Sequence, residues 1–374
     1  MTNLFWENLD DTLPGRLKEL KLPGVAIARI ENGEIASTHT HGFADITSQK
    51  PVTEETLFQI ASISKSVSSW GVMKLVESGR VDLDAPISRY ISRYVLPDSE
   101  FDANEVTVRR LMCHTAGISH SGFQGVNPKY KLPSLEQLLC GDIPPQDEFQ
   151  KSCSAAQDQG AGAREERTPV HIKYRPGETH RYSGGGTTLL ELMIEEVSAQ
   201  TFPEFMQENI LNPLGMKNSS FSPDKLDANN VATAYDPELD ALPFYGFAAK
   251  VAAGLNCNII ELGKFACAEM VGAKDEPPGR GVLTPESITT LLSRETFAET
   301  FGETDMYVSP GHFLLEIGGK KVVQHTGGNT GWRTVYTIIP ELKKGQVILI
   351  NSQNGNDLWM PLLREWIASI FPNG

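Results

Sequence analysis

Ser62 and Lys65 stand three residues apart in Phe58-Gln59-Ile60-Ala61-Ser62-Ile63-Ser64-Lys65, at the head of a run containing Val67, Trp70, Val72, Met73, Leu75 and Val76. That apolar run, closed by Gly79, predicts a buried helix over residues 62–78 with a glycine cap at its end. On a helix this spacing brings the hydroxyl and the amine to one face. A serine hydroxyl is a weak nucleophile at neutral pH and needs a base beside it, and a lysine among apolar side chains gives up its charge more readily than one in water. Lys65 is therefore a candidate proton acceptor for a Ser62 nucleophile. The pair alone is not distinctive: Ser222 and Lys225 share the spacing, but Pro223 and Asp224 between them mark a helix start and make Ser222 an N-cap. Ser62 could equally cap its own helix, with Lys65 extending to solvent.

Further stretches flank this pair along the chain. Val106-Thr107-Val108-Arg109-Arg110-Leu111-Met112-Cys113-His114-Thr115-Ala116-Gly117-Ile118 comes first, then Arg175-Pro176-Gly177-Glu178-Thr179-His180-Arg181-Tyr182-Ser183-Gly184-Gly185-Gly186. Asn212-Pro213-Leu214-Gly215-Met216 and His325-Thr326-Gly327-Gly328 follow. In this order the motifs resemble those of class C β-lactamases and of the penicillin-binding-protein-like serine hydrolases, a family that includes esterases, D-peptidases and D-aminopeptidases. The resemblance runs from about Pro23 to Ser352. It implies a Tyr182 phenol beside Ser62 and Lys65 that takes the serine proton and returns it to the leaving group. Which of Tyr182 and Lys65 is the base stays open, because their titrations would be coupled. It also implies substrate-binding roles for Gly184 and for His325, Thr326 and Gly327 on an edge strand, with the Ser62 and Gly328 amides forming an oxyanion hole. Two amides aimed at a developing alkoxide in a dry site are a large stabilising term. Without the resemblance, Tyr182 reads as a core tyrosine and His325 as a half-exposed strand histidine; His114 is expected behind the site, and Trp332 and Tyr245 as core aromatics.

β-Lactamases of this type carry Lys where His325 stands and Asn where Gly184 stands. An ammonium holds a substrate carboxylate, and an amide side chain binds an amide carbonyl. Their loss implies weak or no β-lactam turnover and points to a serine hydrolase of small esters or D-amino-acid-type amides acting through a Ser62 acyl-enzyme. An acyltransferase on the same intermediate, or a non-catalytic binding protein on the same fold, are the rival readings. The sequence has no Gly-x-Ser-x-Gly elbow, no HExxH and no phosphate loop. Neither a cofactor nor a metal is expected: the eight histidines are scattered, and His39 and His41 alternate on a strand with no carboxylate at ligand spacing.

The elements that must position these groups are legible from periodicity. Gly24 to Ile30 and Glu34 to Thr38 read as strands joined by an Asn32-Gly33 turn, and Met1 to Lys21 reads as an amphipathic helix exposing Phe5, Trp6, Leu9, Leu13, Leu17 and Leu20 on one face. Past Ala252 the pattern returns to strands at 313–317, 321–325, 332–339 and 346–351, closed by a helix at 358–371. The expected fold is α+β, an α/β sandwich: an antiparallel sheet built from both chain ends and flanked by helices, with an inserted mainly helical domain, as in the β-lactamase/transpeptidase-like fold. Residues 1–80 and 242–374 form the sheet domain, 81–241 the helical one, and the cleft lies between them. The polar stretch Gln146 to Arg167 reads as an exposed insertion or flap.

Composition narrows the partners. A net charge of -14 with no basic block argues against nucleic acid and anionic membranes; the resemblance implies a small-molecule ester or amide as partner, and a monomer is the default expectation. Five cysteines in no metal or paired spacing read as free thiols of a reducing compartment. Without a signal-like start or an apolar run of roughly 20 residues, a cytoplasmic location is expected, with a periplasmic one the alternative if a leader has been removed.

Overall fold

The computed structural model describes residues 2–144, 167–301 and 304–372. Leucines at every fourth position bury one side of α1 (Leu9–Glu19), namely Leu9, Leu13 and Leu17. The chain then enters β1 (Gly24–Glu31) and β2 (Glu34–Asp45) through a turn in which Asn32 and Gly33 have φ of 54° and 74°. Those left-handed values are what a tight hairpin needs and what these two residue types tolerate. After the two-residue β3 (Lys50–Pro51) comes α2 (Ile63–Glu77), buried on nearly every side and ended by Gly79 at φ 70°. Its all-round burial matches its all-round apolar sequence.

The remaining strands come from the C-terminal part: β4 (Thr296–Phe301), β5 (Thr304–Ser309), β6 (His312–Ile317), β7 (Lys320–Asn329), β8 (Trp332–Ile339) and β9 (Lys344–Ile350). They join the first three in one sheet of order β3-β2-β1-β9-β8-β7-β6-β5-β4. The seam between chain ends is antiparallel, with Val25 opposite Ile350 and Ile27 opposite Ile348. Alternation along β1 divides the core: Ala26, Ala28 and Ile30 face α2 and Trp70, whereas Val25 and Ile27 pack with Leu13 and with Trp366 of the closing helix Asn356–Ile370. This is the α+β architecture of the β-lactamase/transpeptidase-like fold.

Several expectations are corrected here. Past Ala252 the chain first forms helices, Ile259–Ala268 and Pro285–Leu291, before any strand of the sheet. Ile259, Leu262, Phe265 and Ala266 bury one face of the former, and Asn258 caps it by accepting from the Glu261 N–H, a pattern of helical period. Residues 81–241 contain one long helix, α3 (Gly184–Ser198), and short ones such as Val108–Met112 and Leu135–Leu139; their many prolines and glycines leave the rest of the described segment in turns and loops. β7 is an inner strand rather than the edge of the sheet, since β6 pairs with it up to Phe313–Gln324. Only its last residues, from His325 on, lie beyond that pairing and present an edge. The proposed flap falls outside the described residues apart from Arg167. No described helix is long and apolar enough to cross a membrane.

Candidate active site

Ser62 stands at the N-cap of α2 with φ -64° and ψ -13°, directly after Ala61, whose φ of 49° is left-handed. A non-glycine residue held in that region costs on the order of 1 kcal/mol or more and persists only where the surroundings enforce it. Here the bend ends the strand Phe58–Gln59 and starts the helix, turning the serine out at the junction. Ile63, Ser64 and Lys65 amides bond to the carbonyls of Ile60, Ala61 and Ser62, so the helix begins tightly, while among the described residues no backbone carbonyl accepts the Ser62 N–H.

Lys65 lies one turn into the helix and is 6% exposed. Its Nζ donates to the Ala252 carbonyl at 2.7 Å and reaches Ser62 Oγ at 3.4 Å, so the amine bridges the nucleophile and a fixed acceptor. The same nitrogen sits 4.9 Å from the centre of the Tyr182 ring. Tyr182 in turn packs on His114, ring centres 4.3 Å apart, and stacks with Phe313 at 6.4 Å. His114 accepts the Ser183 N–H through Nδ1 at 3.1 Å, which keeps it behind the tyrosine as expected.

Ser62, Tyr182, His325, Thr326, Gly327 and Gly328 all border one cavity of about 820 Å3. His325 is 3% exposed, with its Nδ1–H donating to the Thr326 carbonyl at 2.7 Å. Burial first, and then the Lys65 charge, hold it down at about 3, so the ring is neutral at ordinary pH and supplies no cation for a carboxylate. Gly184 is elsewhere. It opens α3, donates its N–H to the Ser121 carbonyl at 2.9 Å and packs so closely on Gly122 that a Cβ would lie 2.7 Å from that residue's Cα. The glycine there serves helix-to-loop packing and does not border the cavity, which corrects its reading as a substrate contact. Trp332 and Tyr245 are likewise core residues.

Positioning groups emerge that the sequence did not disclose. Glu191, fully buried on α3, accepts the Val251 N–H at 2.8 Å with Lys250 Nζ 3.9 Å away, and thereby holds the turn that presents the Ala252 carbonyl to Lys65. Asn329 donates to Gln59 Oε1 at 2.9 Å and to the Ala253 carbonyl at 3.3 Å, tying the end of β7 to the Ser62 segment and to the same turn. A lone Glu within Thr-Thr-Leu-Leu-Glu-Leu-Met-Ile was the available signal, since a carboxylate in an apolar helix face needs a reason. His39 and His41 also gain a partner invisible in local spacing: Asp10 lies 2.9 Å and 2.8 Å from their rings. Among the described residues no His, Cys, Asp and Glu cluster suits a metal ion. Cys113, Cys257 and Cys267 are buried free thiols, and burial pushes their ionisation up.

These groups set how stability responds to acid. Burial, then Lys65, also lowers His114 well below its usual value. In the unfolded chain both His114 and His325 take protons below about pH 6.5, while the folded rings do not, so their stabilisation is present above that pH and is lost on acidification. Glu191 opposes them: burial raises it to about 7, so the folded protein gains a proton between about pH 7 and 4.5 and is stabilised as pH falls. His180, which burial also lowers, adds to the two histidines, so on balance unfolding free energy should fall between pH 7 and pH 5. Glu191→Gln removes the opposing group and should enlarge that drop by roughly 2 kcal/mol. Urea unfolding at the two pH values measures both; equal slopes for the two proteins would contradict the assignment.

Comparison with known proteins places the chain in a family and supports its fold. The family model described as Beta-lactamase matches residues 9–360, and the chain belongs to that family. Protein flp of Staphylococcus aureus (strain MW2) is 22% identical over 239 residues, 63% of this chain and 42% of its own length. Esterase EstB of Burkholderia gladioli is 24% identical over 238 residues, covering 63% of this chain and 54% of EstB. The match thus spans about half the length of these curated relatives. Among solved structures, the octameric penicillin-binding protein homologue from Pyrococcus abyssi superposes with a TM-score of 0.74 at 26% identity, over 98% of this chain and 77% of that one. A penicillin-binding protein from Bacillus halodurans gives 0.70 at 22% identity, over 94% and 98%.

Proposed function

We propose that the protein is a serine hydrolase that cleaves esters through an acyl-enzyme on Ser62. The single observation that carries this reading is the contact of Lys65 Nζ with Ser62 Oγ beneath a cavity that Tyr182, Gly327 and Gly328 also border. In acylation the Ser62 oxygen bonds to the ester carbonyl carbon as its proton passes to Lys65 or Tyr182; the carbonyl oxygen takes negative charge facing the Ser62 and Gly328 amides. Collapse expels the alcohol, which leaves with the relayed proton. Water then repeats the sequence and releases the acid.

Esters are favoured over amides and β-lactams because the His325 ring is neutral and holds no carboxylate, and Gly184, which does not border the cavity, contributes nothing to an amide carbonyl. The sequence similarity to EstB fits the same preference. Incubation with a fluorophosphonate or a slowly hydrolysed activated ester, followed by intact mass measurement and peptide mapping, should give one adduct located on Ser62. Labelling elsewhere, or none in folded protein, would sink the reading.

A further inference from the structure

The cavity does not stop at the nucleophile. From Ser62 and Gly328 it passes round the end of β7 beyond its pairing with β6 and continues along the sheet face opposite α2, between β6 and β7 on one side and the closing helix, α4 (Asn356–Ile370), on the other. The helix contributes Asn356, Trp359, Met360, Leu363, Arg364 and Ile367, the spacing of a single helical face. From Asn356 to Ile367 that face runs roughly 16 Å at the helical rise. The strands contribute Leu315, Ile317 and Val322 at the end remote from Ser62, opposite Leu363 and Ile367. Leu315, Ile317, Met360, Leu363 and Ile367 are only half-buried, so this trough leaves apolar surface in water within a cavity that also holds the nucleophile. Its two mid-floor polar side chains answer each other, Thr337 Oγ1 lying 3.3 Å from Gln324 Oε1.

We infer that the substrate is an ester with a long linear aliphatic chain, whose carbonyl sits at Ser62 and whose chain lies in this trough. The inference rests on the hydrolase reading above. A polar mouth followed by an apolar run suits one polar reacting group on one apolar tail. The length suits an extended chain of about a dozen carbons, since bonds about 1.5 Å long at tetrahedral angles advance about 1.3 Å each along a zigzag. Compact acyl groups would leave the far end wet and gain nothing from it.

The test is a series of nitrophenyl esters with acetyl, hexanoyl and decanoyl groups, paired with acetate esters of ethanol, hexanol and decanol, all below their micelle-forming concentrations. Each buried methylene is expected to raise kcat/KM by up to about fourfold, and the decanoyl or the decyl ester should exceed its shortest counterpart by at least about tenfold. Which series responds tells whether the trough holds the acid or the alcohol portion. Ile367→Trp, at the far end, should cost the longest ester about tenfold and spare the acetyl ester, and Leu363→Trp should move the preference to shorter chains still. Independently of turnover, bromododecanoate should quench Trp359 saturably in Ser62→Ala protein, and less in Ser62→Ala/Ile367→Arg, which places a charge in the trough without adding a fluorophore. Ser62-dependent hydrolysis with a flat response in both series, or quenching unchanged by Ile367→Arg, overturns the trough while leaving the hydrolase standing. Absence of Ser62-dependent turnover and labelling with saturable quenching retained overturns the hydrolase instead.

Discussion

Ser62→Ala and Lys65→Met are each expected to lower ester turnover by about 10^3-fold or more, with the double variant falling no further than the worse single one. The expectation follows from the contact at 3.4 Å between Lys65 Nζ and Ser62 Oγ: the amine has value to the reaction only through that hydroxyl, and the hydroxyl is unreactive without a proton acceptor. Methionine keeps the length of the lysine stem but leaves the Ala252 carbonyl without its donor, a loss of about 1–3 kcal/mol in stability. Thermal unfolding of each variant therefore accompanies the kinetics. Tyr182→Phe divides the labour between the two candidate bases. If the phenol accepts the serine proton, this variant should lose as much as Lys65→Met; if it only relays the proton outward, a loss nearer tenfold is expected for an activated ester, whose leaving group needs no proton. Multiplicative losses in the Ser62→Ala/Lys65→Met double variant would mean that the two residues act independently and that the pair is not a nucleophile with its base.

The sheet was legible where β-branched and apolar residues run between unambiguous turn residues. Trp332–Ile339 has the bounds expected of it, and Asn32-Gly33 makes the hairpin its residues require. Legibility failed where one residue pattern serves two structures. The stretch after Ala252 holds short apolar runs that a strand or a buried helix can use, and the helix Ile259–Ala268 prevails because Asn258 caps it and its apolar face finds the sheet. The β4–β5 hairpin has half-exposed strands with threonines and charges, so local sequence gave little reason to place it; pairing to β6 makes it a strand pair.

At the site the split is between groups that act and groups that hold. Ser62, Lys65 and Tyr182 could be named because the order of their motifs resembles that of a known family; the Ser-Lys spacing alone was not distinctive, and Tyr182 alone read as core. Glu191, Gln59 and Asn329 were not, since each works through contacts with residues far along the chain: Asn329 meets Gln59 across 270 positions and Glu191 meets Val251 across 60. Gly184 shows the converse failure. A glycine inside a motif invites a substrate-facing role, yet its need for smallness comes from Gly122 beneath it. Backbone proximity has two possible beneficiaries, a ligand or a neighbouring segment, and sequence alone does not tell which.

Gly327 meets that same question with a different answer, and Gly327→Ala is expected to lower kcat by about 10^2-fold while costing about 1–3 kcal/mol of stability. A Cβ at this position would collide with the Ile60 carbonyl oxygen and with Thr334 Oγ1. Neither can easily retreat: that carbonyl already accepts Thr334 Oγ1 at 3.0 Å and the Ile63 N–H at 3.2 Å, and the latter bond belongs to the first turn of α2. Relief must come from separating β7 from the segment that carries Ser62. A shift of about an ångström between the Gly328 and Ser62 amides is enough to spoil their joint aim at one oxyanion. Gly328→Ala is the stability control, because its Cβ would meet only the Arg333 side chain at an ordinary 3.5 Å. Steady-state kinetics and urea unfolding of the two variants separate aim from packing. Unchanged kcat in a destabilised Gly327→Ala protein would show that the closeness of β7 to Ile60 supports the fold alone.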